Sequence, residues 1–317
     1  MLFSPDYRGR FAPSPTGPLH FGSLAAAVGS YLDAKHHRGT WLVRMEDLDM
    51  PRCVCGAADD ILRTLAAFGL HSDESVLFQS QRTVAYEAAL HQLKALHAVY
   101  PCCCTRKEIA DSALHGIDGQ IYIGTCRHGI SEGREGRAWR VRTDLNRHFR
   151  IGGNDGNPNA VGIVKFDDIL QGHITQHLEN EIGDFVVKRA DGFFAYQLAV
   201  VVDDAFQGIT HIVRGADLLH STPRQIHLQL LLGLPTPRYM HLPVALNTQG
   251  EKLSKQTLAA PIGTDNVVAT LMSVLRFLQQ QPPVELQGGS VEEVLSWAVE
   301  NWKPDQLRNK LQSEIMG

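Results

Sequence analysis

Apolar positions recur along this chain in two rhythms. Leu24 to His37, Ala57 to Phe68 and Val84 to His97 carry apolar residues three and four apart, the spacing that gathers them on one face of a helix. Tyr7 to Phe11 and Thr40 to Met45 are short, rich in aromatic and branched residues, and read as strands. Further on, Ile182 to Lys188, Phe193 to Val202 and Ile209 to Val213 also predict strands, the second an almost unbroken apolar run of the kind buried between helix layers. Helices are predicted at Thr222 to Leu232, with Thr222 as N-cap and Pro223 in the first turn, at Asp265 to Gln280, and at Val291 to Trp302. The last opens with Ser290 and Glu293 in capping-box spacing.

The opening order of strand, helix, strand is the start of a doubly wound sheet, whose ligands sit beyond the strand ends. From about Pro101 to Gln176 the rhythm gives way to cysteines, glycines and arginines, and the glycine-rich stretch 151–159 predicts a turn or a mobile tip. The expected fold class is therefore α/β: a Rossmann-like doubly wound parallel sheet with an inserted module and a small helical C-terminal region. The expected divisions are 1–100 and 182–238 for the two halves of the sheet domain, 101–181 for the insertion and 239–317 for the helical region.

With 317 residues, 44% of them hydrophobic and 20% charged, the chain has the composition of a soluble enzyme with a sizeable core. A formal net charge of −4 excludes a general polyanion coat. Any RNA contact has to come from a local patch, for which Arg127, Arg134, Arg137, Arg140, Arg142, Arg147 and Arg150 are candidates; the alternative is a solvated arginine-rich surface. No apolar stretch is long enough to cross a bilayer and the N-terminus has no apolar signal region, so a cytoplasmic protein without a membrane partner is expected. In that reducing compartment the six cysteines read as metal ligands or free thiols in preference to disulfides.

Two segments carry the chemistry. Arg10-Phe-Ala-Pro-Ser-Pro-Thr-Gly-Pro-Leu-His20-Phe-Gly-Ser23 runs from a strand through a turn into a helix, and Glu251-Lys-Leu-Ser-Lys-Gln256 reads as an exposed loop with two lysines. The first turn of a helix from Phe21 presents free N–H groups and a positive end, which suit a polyphosphate. Gly22 leaves room for a base or ribose against the backbone, and His20 can donate to a phosphoryl oxygen. Lys252 and Lys255, if their loop closes, can neutralise a departing pyrophosphate. Asp203 and Asp204, after an apolar run, can hold magnesium or a ribose, or cap a turn. Cys102-Cys-Cys104 has spacing compatible with a metal, with Cys103, His115 and His128 as alternative ligands, whereas Cys53 and Cys55 have no partner pair and read as incidental.

The run from Arg10 to His20, then Trp41-Leu-Val-Arg-Met-Glu-Asp-Leu-Asp49, then Lys252-Leu-Ser-Lys255, resembles the glutamyl-tRNA synthetase group of class I aminoacyl-tRNA synthetases, over residues 8 to about 256. Leu19-His-Phe-Gly-Ser-Leu24, the cysteine run, Ala195-Tyr-Gln-Leu-Ala-Val-Val-Val-Asp-Asp204 and Lys252-Leu-Ser-Lys-Gln256 place it nearest the branch that modifies queuosine in tRNA(Asp). The resemblance implies that Arg10 and Arg214 hold the carboxylates of L-glutamate, that Glu46 pairs its amino group, and that Ser14 and Tyr196 add hydrogen bonds. It leaves open which arginine takes which end. It implies catalytic roles for His20, Lys252 and Lys255 and nucleotide contacts from His20, Gly22, Ser23 and Lys255. Ser23 stands where the general class I motif has a second histidine, which shifts phosphate contact toward His20 and the helix start. By the same resemblance Cys102, Cys104, Tyr122 and Cys126 match a Cys-x-Cys, Tyr-x4-Cys zinc site that staples the inserted module.

The implied activity is ATP- and Mg²⁺-dependent activation of glutamate without bound tRNA, followed by transfer of the glutamyl group to queuosine in the anticodon loop of tRNA(Asp). No obligate protein partner is implied. The short helical region after the lysine loop leaves no room for an anticodon-binding domain of the usual kind. Alternatives are a truncated glutamyl-tRNA synthetase charging a tRNA 3′ end, a small-molecule nucleotidyltransferase, and a non-catalytic RNA-binding paralogue.

Overall fold

The computed structural model describes residues 7–111, 115–116, 119–145, 162–246 and 260–314. Arg147, Arg150, Lys252 and Lys255 and the stretch 151–159 lie outside the described residues, as does the side chain of His115.

Strand β1 (Arg8–Phe11), helix α1 (Phe21–His36) and strand β2 (Thr40–Met45) open the chain. β1 and β2 are parallel, in register from Arg8–Thr40 to Phe11–Val43, as a helical crossover allows. Leu24, Val28 and Leu32 of α1 are fully buried, and an added Cβ at Gly29 would stand 2.5 Å from Leu242, so the helix lies close on the sheet. Helix α2 (Ala57–Ala67), strand β3 (Leu77–Phe78) and helix α3 (Thr83–Ala95) follow, with β3 parallel to β2.

The next stretch holds β4 (Val99–Cys102), α4 (Arg106–Asp111), the short pair β5 (His115–Gly116) and β6 (Gly119–Gln120), then β7 (Ala138–Val141), β8 (Ile163–Asp168), β9 (Gly172–His177), α5 (Leu178–Glu181) and β10 (Phe185–Lys188). β7 lies between β4 and β10 in an antiparallel sheet. The β8–β9 hairpin belongs elsewhere: β8 pairs with β12 through Asp168 and Tyr239, so part of the expected insertion joins the main sheet.

The second half comprises α6 (Tyr196–Phe206), β11 (His211–Gly215), α7 (Thr222–Leu232), β12 (Arg238–Leu242) and β13 (Val244–Leu246). β11 and β12 are parallel, and β11 lies beside β1, where Thr210 N donates to Arg8 O at 3.0 Å. The chain thus leaves β1 toward β2 on one side and has β11 on the other, the reversal at which doubly wound sheets open a crevice. Helices α8 (Val267–Phe277) and α9 (Val291–Glu300) pack against α1, and strand β14 (Gln312–Glu314) pairs with β13. Ser290 and Glu293 form the expected capping box.

Four expectations need correction. Phe193 to Val202 is not a strand, because Tyr196–Phe206 is helix α6. Leu198 to Val201 are all buried, so no polar face reveals the helical period in the sequence. Ile182 to Lys188 is a strand only from Phe185 onward, after the helical turn α5. Ser221 and not Thr222 is the N-cap of α7; the Thr222 hydroxyl turns inward to Arg214 at 2.8 Å. Finally, Arg127 and Arg140 are not part of a surface patch. Arg127 donates twice to the buried carboxylate of Asp184 at 2.9 Å, and Arg140 donates to its carbonyl at 2.8 Å while its guanidinium stacks 3.9 Å over Tyr122.

The join between α1 and β2 generates a stability prediction. Thr40 N donates to Tyr7 O at 2.9 Å, and a Cβ added at Gly39 would lie 2.5 Å from that same carbonyl. Gly39→Ala is expected to destabilise the protein by about 1–3 kcal/mol through overpacking against backbone. Urea unfolding followed by circular dichroism measures this, and an unchanged midpoint would contradict the packing described.

Candidate active site

His20 is the N-cap of α1, in extended backbone (φ −111°, ψ 170°), and its Nδ1 accepts from Ser23 N–H at 3.3 Å. That acceptance leaves the ring proton on Nε2, 2.9 Å from Ser23 Oγ. Ser23 therefore orients His20 as well as standing at the helix start. No acidic residue occupies the first turn of α1, so its positive end is not offset by a carboxylate within the helix. A Cβ at Gly22 would stand 3.3 Å from the His20 ring, which is the room the glycine preserves.

These residues line a cavity of about 290 Å³ at the carboxyl ends of β1 and β11. Of the expected glutamate set Arg10, Ser14, Tyr196 and Arg214 line it, and so do His20, Gly22 and Ser23 of the expected nucleotide set. Val244 and Ala245 line it too, and Ile262 N donates to Leu19 O at 2.9 Å, so the described residues on both sides of the lysine segment sit next to the cavity.

Arg10 is 3% exposed, and the carboxylate of Asp204 accepts from its Nε at 3.0 Å and its Nη2 at 3.3 Å. Arg44 Nη1 donates to the same carboxylate at 2.7 Å, and Arg44 Nη2 donates to Glu46 Oε1 at 3.2 Å. Burial opposes ionisation of Asp204, but Arg10 and Arg44 outweigh it and hold its carboxyl below the usual range. For Glu46 the balance goes the other way: burial outweighs Arg44 and Arg10 and pushes its carboxyl up. An ammonium group brought to Glu46 would therefore be favoured. Glu46 N–H donates to Pro13 O at 2.9 Å, which ties the end of β2 to the segment before α1.

Asp203 and Asp204 do not reach the nucleotide end. Both lie in α6, and Asp203 is fully buried, accepting from Arg82 at 2.6 Å, Tyr86 at 2.7 Å and Gln79 at 2.8 Å. The sequence reading also missed Arg44. Its signal was present, since Arg44 lies two residues before Glu46 at the end of β2, the spacing that puts side chains on one side of extended chain.

Arg214, 5% exposed, has a different setting. Its Nη1 donates to Tyr196 OH at 3.3 Å, its Nη2 to Thr222 Oγ1 at 2.8 Å and its Nε to His241 Nε2 at 3.1 Å. With Leu218 O, which accepts from Nη2 at 3.4 Å, these hydrogen-bond partners are all neutral, and Asp217 lines the same cavity. Burial brings His241 down to about 4, despite the opposing hydrogen bond to Asp168. Burial likewise brings His211, stacked 3.9 Å from the Tyr7 ring, down to about 4.

Away from the cavity, the Sγ atoms of Cys102, Cys104 and Cys126 lie within 4.8 Å of one another, close enough to share one ion. Tyr122 OH is 3.4 Å from both Cys102 and Cys104 Sγ. Sulfurs around a tetrahedral zinc stand about 3.8 Å apart, given Zn–S near 2.3 Å, so this donor set fits a structural zinc. Burial pushes the Cys126 thiol up, but hydrogen bonds from Tyr122, Cys103 and Cys104 outweigh it and bring it to about 7. Cys103 Sγ reaches Cys126 at 3.6 Å without joining the triad, and His128 is exposed outside it. Cys53 and Cys55 belong to no such group among the described residues.

Residues 6–270 match the family model for tRNA synthetases class I (E and Q), catalytic domain. A protein of Dechloromonas aromatica named glutamyl-Q tRNA(Asp) synthetase is 58% identical over 303 residues, 95% of each chain. One of the same name from Aromatoleum aromaticum is 53% identical over 314 residues, 99% of this chain and 94% of that one. Among solved structures, a glutamate tRNA ligase from Elizabethkingia meningosepticum in complex with its amino acid superposes with a TM-score of 0.74 at 22% identity, covering 98% of this chain and 67% of that one. That likeness shows the fold.

Buried His241 and half-buried His211 set a pH dependence, to which buried His227, also lowered by burial, adds in the same direction. His241 and His211 each have a folded-state value near 4, below the ordinary 6.5, so the unfolded chain takes up their protons first on acidification. Their contribution to stability is full above about pH 6.5 and is lost as pH falls toward 4. Thermal melts are expected to show Tm falling across that window, with a shallower fall in His211→Gln. An identical slope in the variant would contradict the burial assigned to His211.

Proposed function

The chain belongs to the class I tRNA synthetase family (E and Q), and we propose that it activates L-glutamate with ATP and transfers the glutamyl group to queuosine in the anticodon loop of tRNA(Asp). The observation that carries this reading is one cavity in which two buried arginines face the capped start of α1. The names borne by relatives at 53–58% identity support the same acceptor.

In the first step a glutamate carboxylate oxygen attacks the α-phosphorus of ATP, the bond to the bridging oxygen breaks, and pyrophosphate leaves. In-line positioning is the main contribution such a site makes. Arg10 and Arg214 hold carboxylates, Glu46 pairs the ammonium group, and Ser14 and Tyr196 complete the hydrogen bonds. His20, Gly22 and Ser23 receive the nucleotide at the helix start. Lys252 and Lys255 neutralise the departing pyrophosphate, and Mg²⁺ brought with ATP would add positive charge there. In the second step a nucleophile of the queuosine base attacks the glutamyl carbonyl carbon and AMP leaves. Cys102, Cys104, Tyr122 and Cys126 would hold a zinc ion, which would cross-link the β4–β7 region and supply no chemistry to the reaction.

The test is transfer of labelled glutamate, with ATP, to tRNA(Asp) with and without queuosine, alongside tRNA(Glu). Label only on the queuosine-containing tRNA(Asp) is expected; label on tRNA(Glu) as an alkali-labile terminal ester would overturn the acceptor in favour of a synthetase charging a 3′ end. For the leaving-group role, Lys255→Ala is expected to lower the activation rate by roughly 100-fold while glutamate KM changes by less than about threefold. Equal losses in both would remove Lys255 from that role.

A further inference from the structure

Arg214, a substrate contact in the proposed function, is itself held from behind. Its guanidinium rests on a buried chain that begins in the β8–β9 hairpin, in the stretch expected to be an insertion. Asp168 is buried, and its Oδ1 accepts from the backbone N–H groups of Leu170 at 3.0 Å, Gln171 at 2.9 Å and His241 at 3.3 Å. Its Oδ2 lies 2.6 Å from His241 Nδ1. The opposite ring nitrogen, Nε2, is 3.1 Å from Arg214 Nε, which can only donate. His241 is fully buried, and Gln171 Nε2 donates to its carbonyl at 2.9 Å, so both its backbone and its ring are tied to the hairpin turn.

This geometry permits one tautomer. Nδ1 carries the proton and gives it to Asp168, and Nε2 keeps a lone pair for Arg214. Were the proton on Nε2, two N–H groups would face each other and the guanidinium would be pushed from its place. Thr222 Oγ1, which accepts from Arg214 Nη2 at 2.8 Å, closes the ring of contacts at 3.2 Å from the same His241 nitrogen.

We propose that Asp168 and His241 are positioning residues for the glutamate site: Asp168 fixes the His241 tautomer, and His241 fixes the Arg214 guanidinium toward the cavity. The pair touches no substrate. It makes the hairpin turn part of the machinery that selects glutamate. The inference rests on the reading of Arg214 as a glutamate contact, and the test separates the two.

Glutamate-dependent ATP–pyrophosphate exchange is measured for Arg214→Ala, Asp168→Asn, His241→Asn, His241→Gln and the double variant Asp168→Asn/His241→Gln, each confirmed folded by its melting curve. Asparagine at 241 keeps a donor near the Nδ1 position and loses the acceptor at Nε2; glutamine can place its amide oxygen near Nε2 and has no ring tautomer to set. His241→Asn and Asp168→Asn are expected to raise glutamate KM by roughly ten- to a hundredfold, with ATP KM within about twofold. His241→Gln is expected to stay within about threefold of the parent, and Asp168→Asn to add little in that background. Equal shifts in the glutamate and ATP constants, or an undiminished effect of Asp168→Asn in the glutamine background, would overturn the proposal. An Arg214→Ala variant with unchanged glutamate KM would instead remove the reading of Arg214 itself.

Discussion

Asp204 is the carboxylate on which the site depends. It accepts from Arg10 and Arg44 together, in a place that water scarcely reaches. Two guanidinium groups cannot be buried side by side without an anion between them, because desolvation and mutual repulsion both oppose it. With Asp204 in α6, Arg10 at the end of β1 and Arg44 on β2, that anion also pins the two halves of the sheet domain to each other. Glu46 completes the group from the β2 side and keeps a raised carboxyl, so the cluster is compensated but still responsive to an added cation.

Arg214 is arranged on the opposite principle. Its direct partners are a phenol, a hydroxyl, a backbone carbonyl and a neutral imidazole. Its hydrogen-bond partners leave its charge uncompensated by direct contact, although Asp217 lines the same cavity, and a carboxylate of the right reach gains by meeting it. One arginine paired with Asp204 and one with neutral partners line the same cavity as the start of α1, an arrangement that suits the proposed acidic amino acid and nucleotide. The family match then names the reaction class for which such a site is built.

Much of this was legible in the chain. The β1–α1–β2 opening follows from apolar spacing, and His20 and Gly22 sit where a helix start requires them. Of the five residues expected from resemblance to hold glutamate, Arg10, Ser14, Tyr196 and Arg214 line one cavity, and Glu46 is not among its lining. What was not legible had a common cause: burial on all sides. α6 reads as a strand because its apolar run has no wet face, and Asp203 and Asp204 read as ligands because sequence does not show Arg10, Arg44 and Arg82 arriving from distant segments. Arg127 and Arg140 read as surface charge for the same reason, since their partner Asp184 is more than forty residues away. The Thr222 hydroxyl looked like a helix cap until its contact with Arg214 was visible.

In the proposed function this cavity alone, without RNA, recognises glutamate by its second carboxylate. Pyrophosphate exchange measured with glutamate and with glutamine, both in the absence of any tRNA, tests it directly. Exchange is expected with glutamate, and none above background with glutamine at the same concentration. Comparable exchange with glutamine, or exchange with glutamate only when tRNA is added, would contradict it.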